Sequence, residues 1–146
     1  MNAPDQQAQR LGYAGLLPPV LFLIAAMVDP SLRWIMLAAG FGYAAFIFSF
    51  LGGIWWGMAM GLRRVPLSIW NAAVAPSLIS LALFMPWTFG WEWPVPSMRI
   101  LATMILLSPL VDLTIAYAIP APVGWMRLRI RLSLALSVLT MALSFL

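Results

Sequence analysis

The sequence predicts an all-α, polytopic integral membrane helix bundle with five transmembrane helices, and three observations carry that prediction. Of the 146 residues, 64% are hydrophobic and 8% are charged, whereas soluble domains carry about 25% charged residues. Several apolar runs approach or exceed the roughly 20 residues that a helix needs to cross a bilayer. The basic side chains lie at the ends of those runs, which is the pattern of membrane topology rather than of nucleic-acid binding.

Polar and proline-containing segments divide the chain into helices. Asp29-Pro30 is a turn pair that ends the first apolar run. Val65 stands before Pro66, and the residue before Pro is biased out of helix. This pair therefore marks the end of the second apolar run. The loop 87–96 holds three Trp and two Pro residues and is predicted to lie at the membrane interface. The five predicted helices cover 11–28, 32–62, 66–86, 97–119 and 124–146.

These helices form a single predicted domain over 11–146, preceded by a disordered polar tail over 1–10. The second helix is longer than a bilayer requires, so it is expected to tilt or to extend past the membrane. Only 15 residues follow Arg131, so the arginine side chains of the last helix must snorkel toward the interface. Two other counts stay open: four helices, with the first lying in the interface, or six, with the second broken at Gly52-Gly53.

The arginines predict the orientation of the bundle. In a five-helix topology six of them lie on one side of the membrane and two on the other. The positive-inside rule assigns the six to the cytoplasmic side. The N-terminus is therefore predicted inside and the C-terminus outside a bacterial inner (cell) membrane, or the mitochondrial inner membrane in a eukaryote. The six are Arg10, Arg63, Arg64, Arg127, Arg129 and Arg131; the two are Arg33 and Arg99; and Trp34, Trp87, Trp91 and Trp93 form a predicted outer aromatic belt.

Small residues recur at every fourth position of the second helix, from Ala45 onward. Helices in lipid associate through close backbone packing, which small residues permit. A helix-packing stripe is therefore predicted, against either another helix of the same chain or a second copy in a homodimer. A bulky residue at Gly57 is expected to overpack this contact by about 1–3 kcal/mol. The stripe consists of Ser49, Gly53, Gly57 and Gly61.

Four polar side chains are predicted to share one depth in the membrane, in a candidate layer of Trp56, Asn71, Asp112 and Arg131. Each lies seven residues from a cytoplasmic helix end, which at 1.5 Å per residue is about 10 Å. An intramembrane carboxylate is costly unless it is paired or faces a wet cavity. Asp112 is therefore predicted to pair with Arg131, with Arg127 as the fallback and Arg129 pointing elsewhere. A structural ion pair and a ligand or ion site are both open interpretations of this layer.

The residue types limit the chemistry that the chain can perform. The sequence contains no Cys and no His, which removes thiolate nucleophiles, imidazole bases and the usual zinc and haem ligands. Asp112 is the one acidic residue inside a predicted membrane helix, and a paired-carboxylate mechanism needs two. No catalytic residue, metal site or cofactor is predicted, and the chain is not expected to be an enzyme.

Several stretches of the chain resemble a known family. LGYAGLLPP (11–19), FSFLGGIWWG (48–57), APSL (75–78) and GWMRLRIRLSL (124–134), together with Asp112, resemble the family called domain of unknown function 3429, which includes transmembrane protein 69. The resemblance extends over most of the chain in the same order. It implies a membrane protein of this size and topology but implies no reaction.

Two functions from different classes fit these observations. The preferred one is a non-catalytic accessory or scaffold protein that lies in the lipid bilayer and packs against membrane-protein partners, because Trp, Met and small residues are abundant. The alternative is a binding or transport module for a small apolar ligand (lipid, quinone or porphyrin) at the candidate layer. A cavity that reaches Asp112 would favour the binding module, whereas a dry, filled layer would favour the scaffold.

Overall fold

Six α-helices account for the architecture of the described part of the chain. The computed structural model describes residues 6–62, 64–116 and 124–146, and no strand occurs within them. A short turn of 3₁₀ helix, Pro30–Leu32, joins the second helix to the third. The helices are α1 Gln6–Ala14, α2 Leu17–Val28, α3 Arg33–Met60, α4 Leu67–Thr88, α5 Val95–Ala116 and α6 Trp125–Leu143.

Length and composition identify candidate membrane-crossing helices. In the described part of the chain, four stretches are long and apolar enough to cross a membrane. The first of them contains both α1 and α2. α6 has 19 residues and carries three arginines in its first two turns, so it is not among them. The structure therefore confirms an all-α, multi-pass membrane protein, whereas the predicted count of five crossings is approximate. The four stretches are Gln6–Val28, Pro30–Met60, Leu67–Thr88 and Val95–Ile115.

The N-terminal segment begins its helix earlier than predicted. Residues 6–10 were expected to belong to a disordered tail but form the first turns of α1. The helix packs against α6, where Gly12 lies against the side chain of Leu132. This tertiary contact stabilises a polar segment that has little apolar surface of its own. The remainder of the predicted tail, residues 1–5, lies outside the described residues.

α3 is continuous over 28 residues. It runs without a break through Gly52-Gly53, so the six-helix alternative is wrong. Its observed ends lie within two residues of the predicted ones. Arg63 and the segment 117–123, which contains the predicted end of the fourth helix, lie outside the described residues.

The break between α1 and α2 follows from two prolines, Pro18 and Pro19, in the first turn of α2. Because Pro has no N–H group, Pro19 leaves the carbonyl of Gly15 without its helical partner. The hydroxyl of Tyr43, on α3, donates a hydrogen bond to this carbonyl. The carbonyl of Gly15 therefore has a hydrogen-bond partner in an apolar environment, where an unpaired backbone group costs several kcal/mol.

α3 is the central helix, and it packs against α2, α4, α5 and α6. α4 approaches it closely at Gly52, where a Cβ atom would overlap the carbonyl oxygen of Ala73. The Ser80 hydroxyl of α4 adds a hydrogen bond to the Ala45 carbonyl at 3.3 Å. Close backbone packing of this kind holds helices together in lipid. The buried side chains of α3 recur at helical spacing and include Phe41, Ala44, Phe48, Leu51 and Trp55.

Contacts between remote segments define two ends of the bundle. At one end the indole ring of Trp93 packs against Trp34 and Trp87, with centroid distances of 6.3 and 5.8 Å. At the same end Arg99 of α5 donates to the side chain and the carbonyl of Ser144, each at 3.4 Å. At the other end α1 lies beside the first turns of α6. The two described ends of the chain therefore lie near opposite ends of α6.

Asp29 organises the turn between α2 and α3, as its position before Pro30 suggested. Its Oδ1 accepts hydrogen bonds from the Ser31 hydroxyl at 2.6 Å and from the Ser31 amide at 2.9 Å. Both bonds favour the charged carboxylate, the hydroxyl more strongly, and they lower the pKa of Asp29. This fully exposed carboxylate has a local role in the turn.

Candidate functional site

Among the residues that the structure describes, one carboxylate is buried within the bundle. Asp112 of α5 is only 2% exposed. It forms a salt bridge with Arg129 of α6, and Nη2 of Arg129 lies 2.7 Å from Oδ2 of Asp112. The Nε of Arg129 donates to the same oxygen at 3.0 Å. Two N–H groups of one guanidinium therefore converge on one carboxylate oxygen, inside the protein.

The other carboxylate oxygen of Asp112 is bound from α3. The indole Nε1 of Trp55 donates a hydrogen bond to Oδ1 at 2.8 Å, and Trp55 is itself 2% exposed. Trp55 lies four residues after Leu51, on the buried face of α3. A single carboxylate thus joins α3, α5 and α6.

Two serines complete the surroundings of Arg129. Its Nη1 donates to Ser133 Oγ at 3.2 Å and its Nη2 to Ser108 Oγ at 3.5 Å. Ser108 donates to the carbonyl of Ile105 at 2.7 Å, a carbonyl that Pro109 leaves without its helical partner. Every buried side-chain nitrogen and oxygen of the described residues has a hydrogen-bond partner. We call this group the polar cluster, and its members are Trp55, Ser108, Asp112, Arg129 and Ser133.

α6 orients Arg129 through a buried face of small hydroxyl residues. One of them, Ser137, donates to the carbonyl of Ala102 on α5 at 2.8 Å. Small residues let α5 and α6 approach closely, which brings the Arg129 side chain to Asp112. This hydroxyl face follows Arg129 at spacings of three and four residues and consists of Ser133, Ser137, Thr140 and Ser144.

The structure corrects the predicted polar layer. Asp112 occupies the buried central position, but Arg131, Trp56 and Asn71 are all exposed. Trp56 packs edge-on against Trp70, at a centroid distance of 4.6 Å, and does not bind Asp112. The predicted pair of Asp112 with Arg131 is wrong, because a shift of two residues turns a helical side chain by about 200°. The four residues that were chosen by their distance from the helix ends therefore do not form one layer.

Four residues of the polar cluster, Trp55, Ser108, Arg129 and Ser133, were missed, although the sequence carried a signal for Trp55 and Arg129. The hydroxyl residues that follow Arg129 at helical spacing mark the packed face of α6, since small polar residues concentrate at helix contacts in membranes. Arg129 continues that face, whereas Arg127 and Arg131 lie off it. In α3, the large apolar residues Phe48 and Leu51 lie on the same face as Trp55.

The predicted stripe contacts another helix of the chain at Ser49 but not at Gly53 or Gly57. Two residues four positions apart on a helix point in directions that differ by about 40°. A stripe of such residues therefore turns gradually from the interior of the bundle to its surface. Ser49 still contacts α4, with its hydroxyl 3.4 Å from the Ser80 hydroxyl. Gly53, Gly57 and Gly61 are exposed, and a Cβ atom on Gly53 or Gly57 would meet nothing within 4 Å. The expected internal overpacking at Gly57 is therefore wrong.

An apolar cavity of about 470 Å³ adjoins the polar cluster. It is bounded by α1, the turn after α1, α3, α5 and α6, and fourteen of its sixteen lining residues are apolar. The two polar ones are Arg129 and Ser133. The volume falls in the range of about 300–1,000 Å³ that is usual for small-molecule sites.

The polar cluster is electrically neutral, because it holds one guanidinium and one carboxylate. The two opposite charges lie 2.7 Å apart, and such a pair can remain in an apolar interior. Within the described ranges, no three His, Cys, Asp or Glu side chains come together as metal ligands. The polar cluster therefore connects α3, α5 and α6 in a fixed arrangement. Arg129 also lines the neighbouring cavity.

Comparison with known proteins identifies the family. No curated protein and no solved structure matches the chain. A family model described as "Protein of unknown function (DUF3429)" matches residues 4–146. That range contains all six helices, the polar cluster and the cavity, so the match concerns the whole bundle rather than one motif. The chain therefore belongs to the DUF3429 family.

Proposed function

We propose that the chain is a non-catalytic membrane scaffold that packs against a second membrane protein through the outer face of α3. The observation that carries this proposal is the open space around Gly53 and Gly57 on an exposed helix face. Glycines four residues apart let the backbone of a partner helix approach closely in lipid. This outer α3 face consists of Phe46, Phe50, Gly53, Gly57 and Met60.

The polar cluster supports a structural rather than a catalytic role. Its two charges face each other, and Trp55 ties α3 to Asp112. α3 is therefore fixed from the inside, opposite the outer α3 face. A partner that meets a preformed surface loses less conformational entropy on binding.

The proposed location is a bacterial inner membrane, or the mitochondrial inner membrane in a eukaryote, with the N-terminus in the cytoplasm and the C-terminus outside. The distribution of arginines supports this orientation through the positive-inside rule. Among the described residues, the end of the bundle that holds the start of α6 carries Arg10, Arg64, Arg127, Arg129 and Arg131, and the other end carries Arg33 and Arg99.

Gentle extraction followed by native mass spectrometry tests the scaffold proposal. We expect the wild-type chain to retain a second protein, either another copy of itself or a different membrane protein. Gly57→Leu should release that protein without lowering the melting temperature of the chain. Ala82→Leu, on the exposed face of α4, adds comparable bulk elsewhere and should retain it. A bare wild-type monomer, or a Gly57→Leu complex as intact as the wild type, would contradict the proposal.

A further inference from the structure

We propose that the cavity beside Arg129 binds a neutral lipophilic molecule with a carbonyl group at its head, a class for which a quinone is the representative chemistry. This inference goes beyond the scaffold function and does not depend on it. The outer α3 face and the cavity share only Phe50. Three features support it: the lining of the cavity, the free hydrogen-bonding capacity of Arg129 and the neutrality of its ion pair.

The walls of the cavity suit a hydrocarbon chain or ring. Leucine and isoleucine side chains from α1, α3, α5 and α6 and from the turn after α1 form most of the surface, and Arg129 and Ser133 are the polar residues among them. Burial of apolar surface in such a site contributes about 25 cal/mol per Å² when the ligand comes from water. Recognition of one ligand among many apolar ones must therefore come from the polar end. The apolar wall includes Leu11, Ile54, Leu128, Leu132 and Leu136.

The polar end has one donor more than the protein uses. A guanidinium has five N–H groups, and the contacts of Arg129 within the described residues account for four. Nε and one N–H of Nη2 bind Asp112, the other N–H of Nη2 binds Ser108, and one N–H of Nη1 binds Ser133. The second N–H of Nη1 has no acceptor among the described residues, and Arg129 lines the cavity, so an acceptor there can bind it. A hydrocarbon cannot fill that place, whereas a carbonyl oxygen can.

The charge balance selects a neutral head group. Asp112 already compensates the charge of Arg129, with the two groups 2.7 Å apart. A carboxylate or phosphate in the cavity would add a second negative charge close to Asp112 without a second cation to balance it, which is costly in a low-dielectric interior. A neutral carbonyl accepts the hydrogen bond at no such cost.

The cavity can be entered from the lipid phase. Leu11 and Phe50 line it and are also 67% and 64% exposed at the surface of the bundle. In a membrane-embedded chain this surface meets lipid, in which a neutral lipophilic molecule dissolves. The molecule can therefore reach Arg129 without crossing water.

Ligand-dependent melting of the purified full chain in detergent micelles tests the site. The probes are decylbenzoquinone, which carries two carbonyl groups, and decylbenzene, which has the same tail and no acceptor. Because a ligand that binds only the folded state raises Tm in a dose-dependent way, each titration gives an apparent Kd. We expect decylbenzoquinone to bind at least about tenfold more tightly than decylbenzene, since hydrogen bonds to charged donors are among the stronger ones.

Matched variants then locate the site. Leu128→Trp fills the cavity and should weaken decylbenzoquinone binding about tenfold or more, whereas Leu134→Trp, on the exposed face of the same helix, should leave it unchanged. Leu11→Trp blocks the exposed mouth and provides a second variant if Leu128→Trp fails to fold. Equal affinity for both probes would overturn the carbonyl assignment. Unchanged binding in the folded cavity variants would overturn the site itself.

Discussion

At the scale of single residues, the buried charge pair has the largest energetic consequence. The side chains of Arg129 and Asp112 are 7% and 1% exposed, so removal of either leaves the other charge in an apolar interior. Loss of one partner of a buried pair costs about 3–5 kcal/mol. We expect Asp112→Ala and Arg129→Ala each to lower the free energy of unfolding by about this amount, measured in detergent by denaturant titration.

The double variant and a neighbouring arginine provide the controls for that prediction. Asp112→Ala with Arg129→Ala should lose less than the sum of the two single losses, because no unpaired charge remains. Arg131→Ala, which removes an exposed arginine two residues away, should change stability by no more than about 0.5 kcal/mol. Additive single losses, or an Arg131→Ala loss as large as that of Arg129→Ala, would show that Asp112 and Arg129 are not coupled.

The adjacent glycines of α3 allow a second prediction, because one packs and the other does not. A Cβ atom on Gly52 would overlap the backbone oxygen of Ala73, and backbone cannot move aside as a flexible side chain can. Gly52→Ala should therefore destabilise the chain by about 1–3 kcal/mol through overpacking. Gly53→Ala, with open space around it, should be neutral or stabilising by up to about 1 kcal/mol, since Ala is the better helix former. Equal melting temperatures for the two variants would place both glycines in the same environment.

At the scale of helices, the joint between α1 and α2 depends on one side chain from α3. The Tyr43 hydroxyl binds the Gly15 carbonyl that Pro19 leaves free. Tyr43→Phe removes this bond and should cost about 1 kcal/mol, with faster amide hydrogen exchange in α1 than in the wild type. Tyr13→Phe removes a hydroxyl from the exposed side of α1 and should leave the exchange unchanged. The same exchange rate in both variants would mean that Tyr43 does not secure the joint.

The sequence determines where helices begin and end better than it determines which faces they pack. Asp29-Pro30 and Pro66 marked real boundaries, because Pro acts locally on its own backbone. One step along a helix changes depth by only 1.5 Å but turns the side chain by 100°. Counting from the turns therefore came within two residues of the partners of Asp112, yet it selected Trp56 over Trp55 and Arg131 over Arg129.

The small residues of α3 illustrate the same limit over a longer distance. A four-residue repeat follows the helix surface only approximately, since it gains about 40° per step. Ala45 is buried and Ser49 half-buried, whereas Gly53 and Gly57 are exposed. One end of the repeat therefore packs inside the bundle and the other end lies on its surface. The positions of the neighbouring helices determine where the buried part of the repeat ends.

At the scale of the whole molecule, the bundle keeps its charge pair inside and turns apolar side chains outward. Phe46, Leu67 and Val28 are 76%, 74% and 78% exposed, a distribution that would be unfavourable in water. Lipid is as apolar as these side chains, so the distribution suits a membrane. Stability then depends on close packing and on internal hydrogen bonds such as those of the polar cluster, rather than on burial of apolar surface.

The orientation of the bundle in the membrane is the last prediction. The 19 residues of α6 extend about 28 Å, and contacts tie its start to α1 and its end to Arg99. The positive-inside rule then predicts the N-terminus in the cytoplasm and the C-terminus outside. In a bacterial host, alkaline phosphatase fused after Leu146 should be active and a fluorescent protein fused before Met1 should fluoresce. Fusion of the phosphatase at Arg64, between α3 and α4, is the control and should be inactive. Termini on the same side would mean that α6, with its three arginines, lies against the bundle without crossing the membrane.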